Sequence, residues 1–263
     1  MITTDHPKAI LELIGDGESP TRHDLCDQHG AFVSRNYLGR VWSKCPACIA
    51  IDAMARAESE VAEMQKRRDA QWLESLGRAQ IPERFRDRTL ASYNATTDGQ
   101  RQALAFAIEY ADTFEHARRT GRSALFIGAF GTGKTHLAIG IALEIMQTHR
   151  YSALFTTVLR AIRRVKDTWS RDADESETSA VAAMVYPDLL ILDEIGVQFG
   201  SEAEKNILMD IINERYEALK PTIMLSNLTI EGVRSYIGER VFERMRENGG
   251  QCIVFDWESH RGQ

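Results

Sequence analysis

The sequence predicts an α/β fold in which a five-stranded parallel sheet carries helices on both faces, preceded by a small cysteine-bearing module and a long helix. Three observations predict it. Short apolar runs alternate with helical periods beyond residue 80, the stretch 128–135 joins one such run to a helix through glycines, and three of the four cysteines fall within the first fifty residues. The 263 residues are 43% hydrophobic and 27% charged, enough apolar material for a medium core plus an appendage, which excludes a wholly disordered chain. No apolar run is long enough to span a membrane, and Met1–Pro7 lacks a basic region leading into an apolar one, so a cytoplasmic protein without a membrane partner is expected. The net charge of −6 speaks against a protein that coats nucleic acid on every side but leaves room for a local basic face.

Within residues 1–50, Cys26-x2-His29 and Cys45-x2-Cys48 stand fifteen residues apart, the spacing of a zinc ribbon. Four ligands with no open position imply a structural tetrahedral Zn²⁺ site; a reduced Cys pair beside an unrelated Cys and His is the other reading. Between the pairs lie Phe32, Tyr37, Trp42, Arg35, Arg40 and Lys44 without an acid. These residues suit stacking on nucleobases, or a small core with a protein-docking surface. Residues 51–76 lack Gly and Pro and read as a long exposed helix without a sustained heptad. Gly77 and Pro82 end it, which divides the chain into 1–50, a linking helix 51–80, and a domain at 81–263.

The expected strands are Ala124–Ile127, Ala153–Thr157, Leu189–Leu192, Thr222–Leu225 and Cys252–Phe255, with Cys252 a core residue. Helices are expected near 99–118, 134–148, 157–170, 202–219 and 231–247, and Asp172, Asp174, Glu175 and Glu177 read as a solvated loop. Gly128, Ala129, Phe130, Gly131, Thr132 and Gly133, with Lys134, Thr135 and His136 opening a helix, match the G-x-x-x-x-G-K-[ST] phosphate loop. Its amides would curl around phosphates at a helix N-terminus, with Lys134 on the β- and γ-phosphates and Thr135 on Mg²⁺. Pro187–Leu192 is an apolar strand that ends in Asp193-Glu194, so Asp193 would hold Mg²⁺ and Glu194 would activate water. Asn227, beyond the fourth strand, would orient that water or cap a helix. Arg240 and Arg244 stand one helical turn apart, either as trans-acting fingers or as surface residues paired with Glu239 and Glu243. Arg160, Arg163, Arg164 and Arg171 share one helical face opposite Val158, Ile162, Val165 and Trp169, which suits single-stranded DNA phosphates or a solvated charged surface.

With these residues in place, the chain from Ile81 onward resembles AAA+ ATPases of the bacterial replicative helicase loader type. This is the DnaC group, which shares its domain with the IstB transposition helper. The resemblance rests on Ile81–Phe85, 131–138, 192–198, Gly238–Arg246 and Phe255–Arg261, and covers about 180 of the 263 residues. It implies ATP-dependent self-assembly, hydrolysis of ATP at subunit interfaces, binding of single-stranded DNA and docking on a hexameric replicative helicase through the N-terminal region. By the same resemblance Asn227 is the first sensor, Arg244 the likelier trans finger beside Arg240, and Arg261 the second sensor. Six residues follow Trp257, so the usual C-terminal helical lid is not expected. Two other functions fit the same domain: a transposition helper acting on duplex DNA with a transposase, or a regulatory binding protein switched by ATP with little hydrolysis. If the arginine face meets DNA, replacing Arg160 and Arg164 with Ala should weaken single-strand binding and flatten its log–log salt slope by about 1.4. Unaltered affinity would remove the face from that role.

Overall fold

The computed structural model describes residues 20–37, 39–196 and 201–259 and divides between Gln71 and Trp72 into two units. In the first, β1 (Thr21–Cys26), β2 (Gly30–Tyr37) and β3 (Val41–Trp42) form an antiparallel sheet. Cys26 pairs with Gly30 at the β1–β2 turn, so this hairpin presents Cys26 and His29 side by side. Across the module, Ser34 is buried and donates to the Ser43 carbonyl at 2.8 Å, and the Arg22 guanidinium lies 4.3 Å from the Trp42 ring centre.

Helix α1 (Pro46–Arg78) starts on a proline, whose missing N–H is not needed in a first helical turn. The Cys45–Cys48 knuckle is therefore a helix start. Ile51, Met54, Val61 and Met64 are all exposed, as a helix without a sustained heptad predicts.

In the second unit, α2 (Asp98–Asp112), α3 (Phe114–Thr120), β4 (Ala124–Gly128), α4 (Lys134–Thr148), β5 (Ala153–Thr157) and α5 (Val158–Asp167) follow in order. Then come α6 (Glu177–Val185), β6 (Leu189–Ile195), α7 (Glu202–Glu217), β7 (Thr222–Ser226), α8 (Ile230–Ile237), α9 (Glu239–Arg246) and β8 (Gln251–Phe255). The sheet is parallel throughout, in the order β5-β6-β7-β4-β8. Alternate residues serve opposite cores: Phe126, Ile191 and Leu225 face α2 and α4, whereas Leu125, Leu190 and Met224 face α5, α7 and α9.

Two expected helices prove to be pairs. The first breaks at Thr113, whose side chain caps back onto Glu109, and the second at Gly238, with φ 81°. Helix α5 ends at Asp167, so Arg171 and Trp169 lie beyond it. Trp169 is half exposed, its indole N–H donating to Glu177 at 2.8 Å, and leaves the buried row that Val158, Ile162 and Val165 keep.

The N-terminal ends of the strands are tied by a buried and a half-buried polar centre. Arg215 is fully buried and donates to the carbonyls of Met184, Val185, Pro187 and Pro221 and to the Thr222 hydroxyl. Asp188 accepts from Arg118 at 2.8 Å, from the Ser152 amide at 3.0 Å and hydroxyl at 2.8 Å, and from Lys220 at 3.3 Å. Burial opposes ionisation of Asp188, but these donors outweigh it and hold the carboxyl down at about 2. A carboxyl depressed on folding contributes stability above its unfolded pKa and loses it as the pH falls through the folded one. Asp188→Asn should therefore cost about 1–2 kcal/mol at neutral pH in denaturant melts. The gap between the two proteins should close as the pH falls from about 4 to about 2.

Candidate nucleotide-binding site

β4 runs straight into the glycine loop and α4 leaves it, so the loop sits at the sheet's C-terminal edge between β7 and β8. The β4–β8 register sets Gly128 opposite Phe255, and a Cβ at Gly128 would lie 2.2 Å from the Phe255 carbonyl oxygen. Gly133 takes φ +96°, and a Cβ there would meet the Tyr93 ring at 2.8 Å. Both positions need glycine. With Gly133 as N-cap, the first amides of α4 have no partner within the helix and face the loop.

Lys134 is 6% exposed, and its ammonium donates to the carbonyls of Gly128 and Ala129 at 2.8 and 2.7 Å. Thr135 Oγ1 donates to Asp193 Oδ2 at 3.1 Å. Two oxygens on adjacent octahedral positions of Mg²⁺, each at ~2.1 Å, stand about 3.0 Å apart, so this pair fits the ion. Burial pushes the Asp193 carboxyl up, opposed by the Glu194 amide, Thr135 and Lys134, and a bound cation would keep it ionised.

Next to it the strand departs from regular pairing. The β6–β7 register slips between Leu192 and Ile195, and Glu194 has φ +66°. This bulge breaks the strand's alternation at Glu194. Lys134, Thr135, His136, Asp193, Glu194 and Asn227 all line a cavity of about 610 Å³. Ser226, which precedes Asn227, is pinned by its hydroxyl to the Ile195 carbonyl at 2.7 Å.

The cavity's other wall was not foreseen as a whole. Arg84, Phe85, Arg88, Ser92, Tyr93 and Asn94 line it, between α1 and α2. His136 binds this wall through Nε2, 2.9 Å from the Thr89 carbonyl and 3.3 Å from Ser92 Oγ, with Tyr93 edge-on to its ring, and burial lowers its pKa. An arginine–aromatic stretch just ahead of the first helix of the sheet domain was the available signal.

The family model for IstB-like ATP binding proteins matches residues 51–244. The chain belongs to this family. It is 36% identical over 186 residues to the replicative helicase loader DnaC of Buchnera aphidicola subsp. Acyrthosiphon pisum, covering 71% of this chain and 74% of that one. It is 33% identical over 224 residues to DnaC of Escherichia coli K12, covering 84% and 85%. A crystal structure of the DnaC helicase loader superposes at TM-score 0.59 with 24% identity, over 66% of this chain and 99% of that one. A DnaI structure does so at 0.56 with 21% identity, over 67% and 94%. The five-stranded AAA+ fold and an ATP-binding loop thus come with family membership.

Two expected elements of this IstB-like chain lie away from the cavity. Arg240 is exposed, while Arg244 bonds Asn213 and stacks 4.3 Å from the Tyr216 ring centre; neither lines the cavity. Arg261 lies outside the described residues. Arg160, Arg163 and Arg164 line a groove of about 430 Å³ without Arg171. The loop expected to be solvated folds onto this face. Asp172, Asp174 and Glu175 line the same groove, and Glu175 holds Arg164 through two bonds at 3.0 and 2.7 Å.

The family match starts after the Cys/His module. There the ligand atoms of Cys26, His29, Cys45 and Cys48 lie within 4.8 Å of one another. Cys26 Sγ stands 3.6 Å from both Cys48 Sγ and His29 Nδ1, and Cys48 Sγ stands 3.3 Å from that nitrogen. Ligands on a tetrahedral Zn²⁺ stand about 3.5–3.8 Å apart, so the set fits. The Gln28 amide, then His29, draws the Cys26 thiol down to about 6, whereas its contact with Cys26 raises Cys48 to about 11. Two such thiols share a proton until a cation lets both ionise. Elemental analysis should find a single zinc ion per chain. Cys45→Ser should lose it and Cys252→Ser should keep it; equal zinc in both would contradict the assignment.

Proposed function

We propose that this protein is an ATP-driven loader that delivers a hexameric replicative helicase onto single-stranded DNA. The observation that carries the reading is the 33% identity to the E. coli loader DnaC across 84% of this chain. The nucleotide site supports it. Lys134 and the α4 amides bind the phosphates, and Thr135 with Asp193 would hold Mg²⁺, which supplies charge neutralisation there.

Glu194, at the bulge of residues 192–195, takes a proton from water. The water oxygen bonds to the γ-phosphorus as the bond to the β–γ bridging oxygen breaks, and ADP and phosphate leave. Asn227 orients the water. Arg244 acts on the site of a neighbouring copy in the ATP-bound assembly, with Arg240 beside it, which agrees with their absence from the cavity of their own chain. The zinc module and α1 hold the helicase, and the arginine groove on α5 meets the strand.

Glu194→Gln should bind ATP as the wild type does and hydrolyse it about 10²–10³-fold more slowly. The deciding experiment supplies a replicative helicase, end-less circular single strands and this protein. Helicase should become strand-bound only with ATP and intact Lys134. Helicase that neither copurifies with this protein nor gains access to the circle would contradict the loader reading. A preference for duplex DNA with no helicase affinity would favour a transposition helper.

A further inference from the structure

Trp257 closes the phosphate loop from behind. β8 ends at Phe255, paired with Gly128 of β4, so Trp257, two residues on, lies beside the loop. There the Trp257 indole N–H donates to the Thr132 carbonyl at 2.9 Å, and the Tyr93 hydroxyl approaches the same oxygen at 3.5 Å. Burial pushes the Tyr93 phenol up to about 12, so it stays protonated and able to donate.

The indole is itself seated. Its ring centre is 4.9 Å from that of Phe255, which in turn lies 5.3 Å from Phe126. On the other side Gly99, in the first turn of α2, leaves it room: a Cβ there would stand 3.0 Å from the indole Cε3. The Thr132 side chain faces inward too, fully buried and bonded to the Ala129 carbonyl at 2.9 Å.

A trans peptide points its C=O and N–H in opposite directions. Holding the Thr132 carbonyl toward Trp257 therefore turns the Gly133 N–H the other way. Gly133 itself lines the cavity, so an N–H held away from Trp257 is placed to meet a phosphate there. We propose that Trp257, assisted by Tyr93, is a positioning residue that orients the Thr132–Gly133 peptide and thereby presets the loop for nucleotide. The proposal rests on the nucleotide reading of the loop. Trp257 touches no substrate and acts through the Thr132 carbonyl alone.

A loop set before ATP arrives favours every bound state alike, so the effect falls on KM and Kd and spares kcat. Trp257→Phe keeps the ring and removes the N–H. It should weaken binding of both ATP and ADP about tenfold and raise KM to match, with kcat at saturation within about twofold of wild type. Gly99→Ala gives a second test should the first variant fail to fold. Alanine suits a helix turn at least as well as glycine, which offsets part of the cost of crowding the indole, so the protein should still fold. The displaced indole should nevertheless weaken ATP binding about two- to threefold.

Unaltered ATP affinity in Trp257→Phe, or a fall in kcat with KM unchanged, overturns the proposal. So does unaltered affinity in Gly99→Ala where Trp257→Phe cannot be studied. Lys134→Ala run alongside separates the two readings. Retained ATP binding there overturns the nucleotide site itself, whereas its loss beside an unaltered Trp257→Phe overturns only the positioning role.

Discussion

Lys134 brings a positive charge almost wholly out of water and sets it against the carbonyl oxygens of Gly128 and Ala129. Desolvating an ammonium costs several kcal/mol, and carbonyl dipoles recover that less fully than an anion does. The loop can hold this arrangement because β8 presses on Gly128 from one side and Tyr93 on Gly133 from the other. Phosphate is a better partner for the ammonium than two carbonyls are. The site thus stores an electrostatic preference for an anion in its own geometry, and the surrounding structure keeps the loop from relaxing around it.

The parallel sheet is what brings the rest together. β4, β6 and β7 are neighbours in the order β6-β7-β4, and all three end on the same edge. Lys134 and Thr135 follow β4, Asp193 and Glu194 end β6, and Asn227 follows β7, so three distant segments meet around one cavity. The positive φ of Glu194 is strain that a free loop would release. Here the pairing of Ile195 with Ser226 and the bond from the Ser226 hydroxyl fix the strand beyond the bulge. At the opposite edge, Arg215 and Asp188 tie the strand beginnings to the helices and leave the C-terminal edge for chemistry.

Much of this was legible in the sequence where a physical requirement is local. A phosphate loop needs its glycines and lysine in order, buried parallel strands are apolar throughout, and a tetrahedral metal site needs paired ligands at close spacing. The five strands, the loop, the Asp193-Glu194 end and the Cys/His set could all be read for that reason. Contacts across long sequence separations could not. The Trp257–Thr132 bond spans 125 residues, and the wall from Arg84 to Asn94 becomes part of the cavity only once the sheet is assembled. Helical periodicity also misplaced Arg171, because α5 stops at Asp167, and hid the Glu175 clasp on Arg164, since charge patterning does not say which acid folds back.

Lys134 is held by the loop's own carbonyls in readiness for a nucleoside triphosphate. A structure of the protein with Mg²⁺ and a non-hydrolysable ATP analogue tests it most directly. The triphosphate should lie inside the loop, with the Lys134 ammonium moved from Gly128 and Ala129 onto phosphate oxygens and the metal bound by Thr135 and Asp193. An analogue seated elsewhere, or a Lys134 still bonded to both carbonyls with the loop occupied, would contradict it.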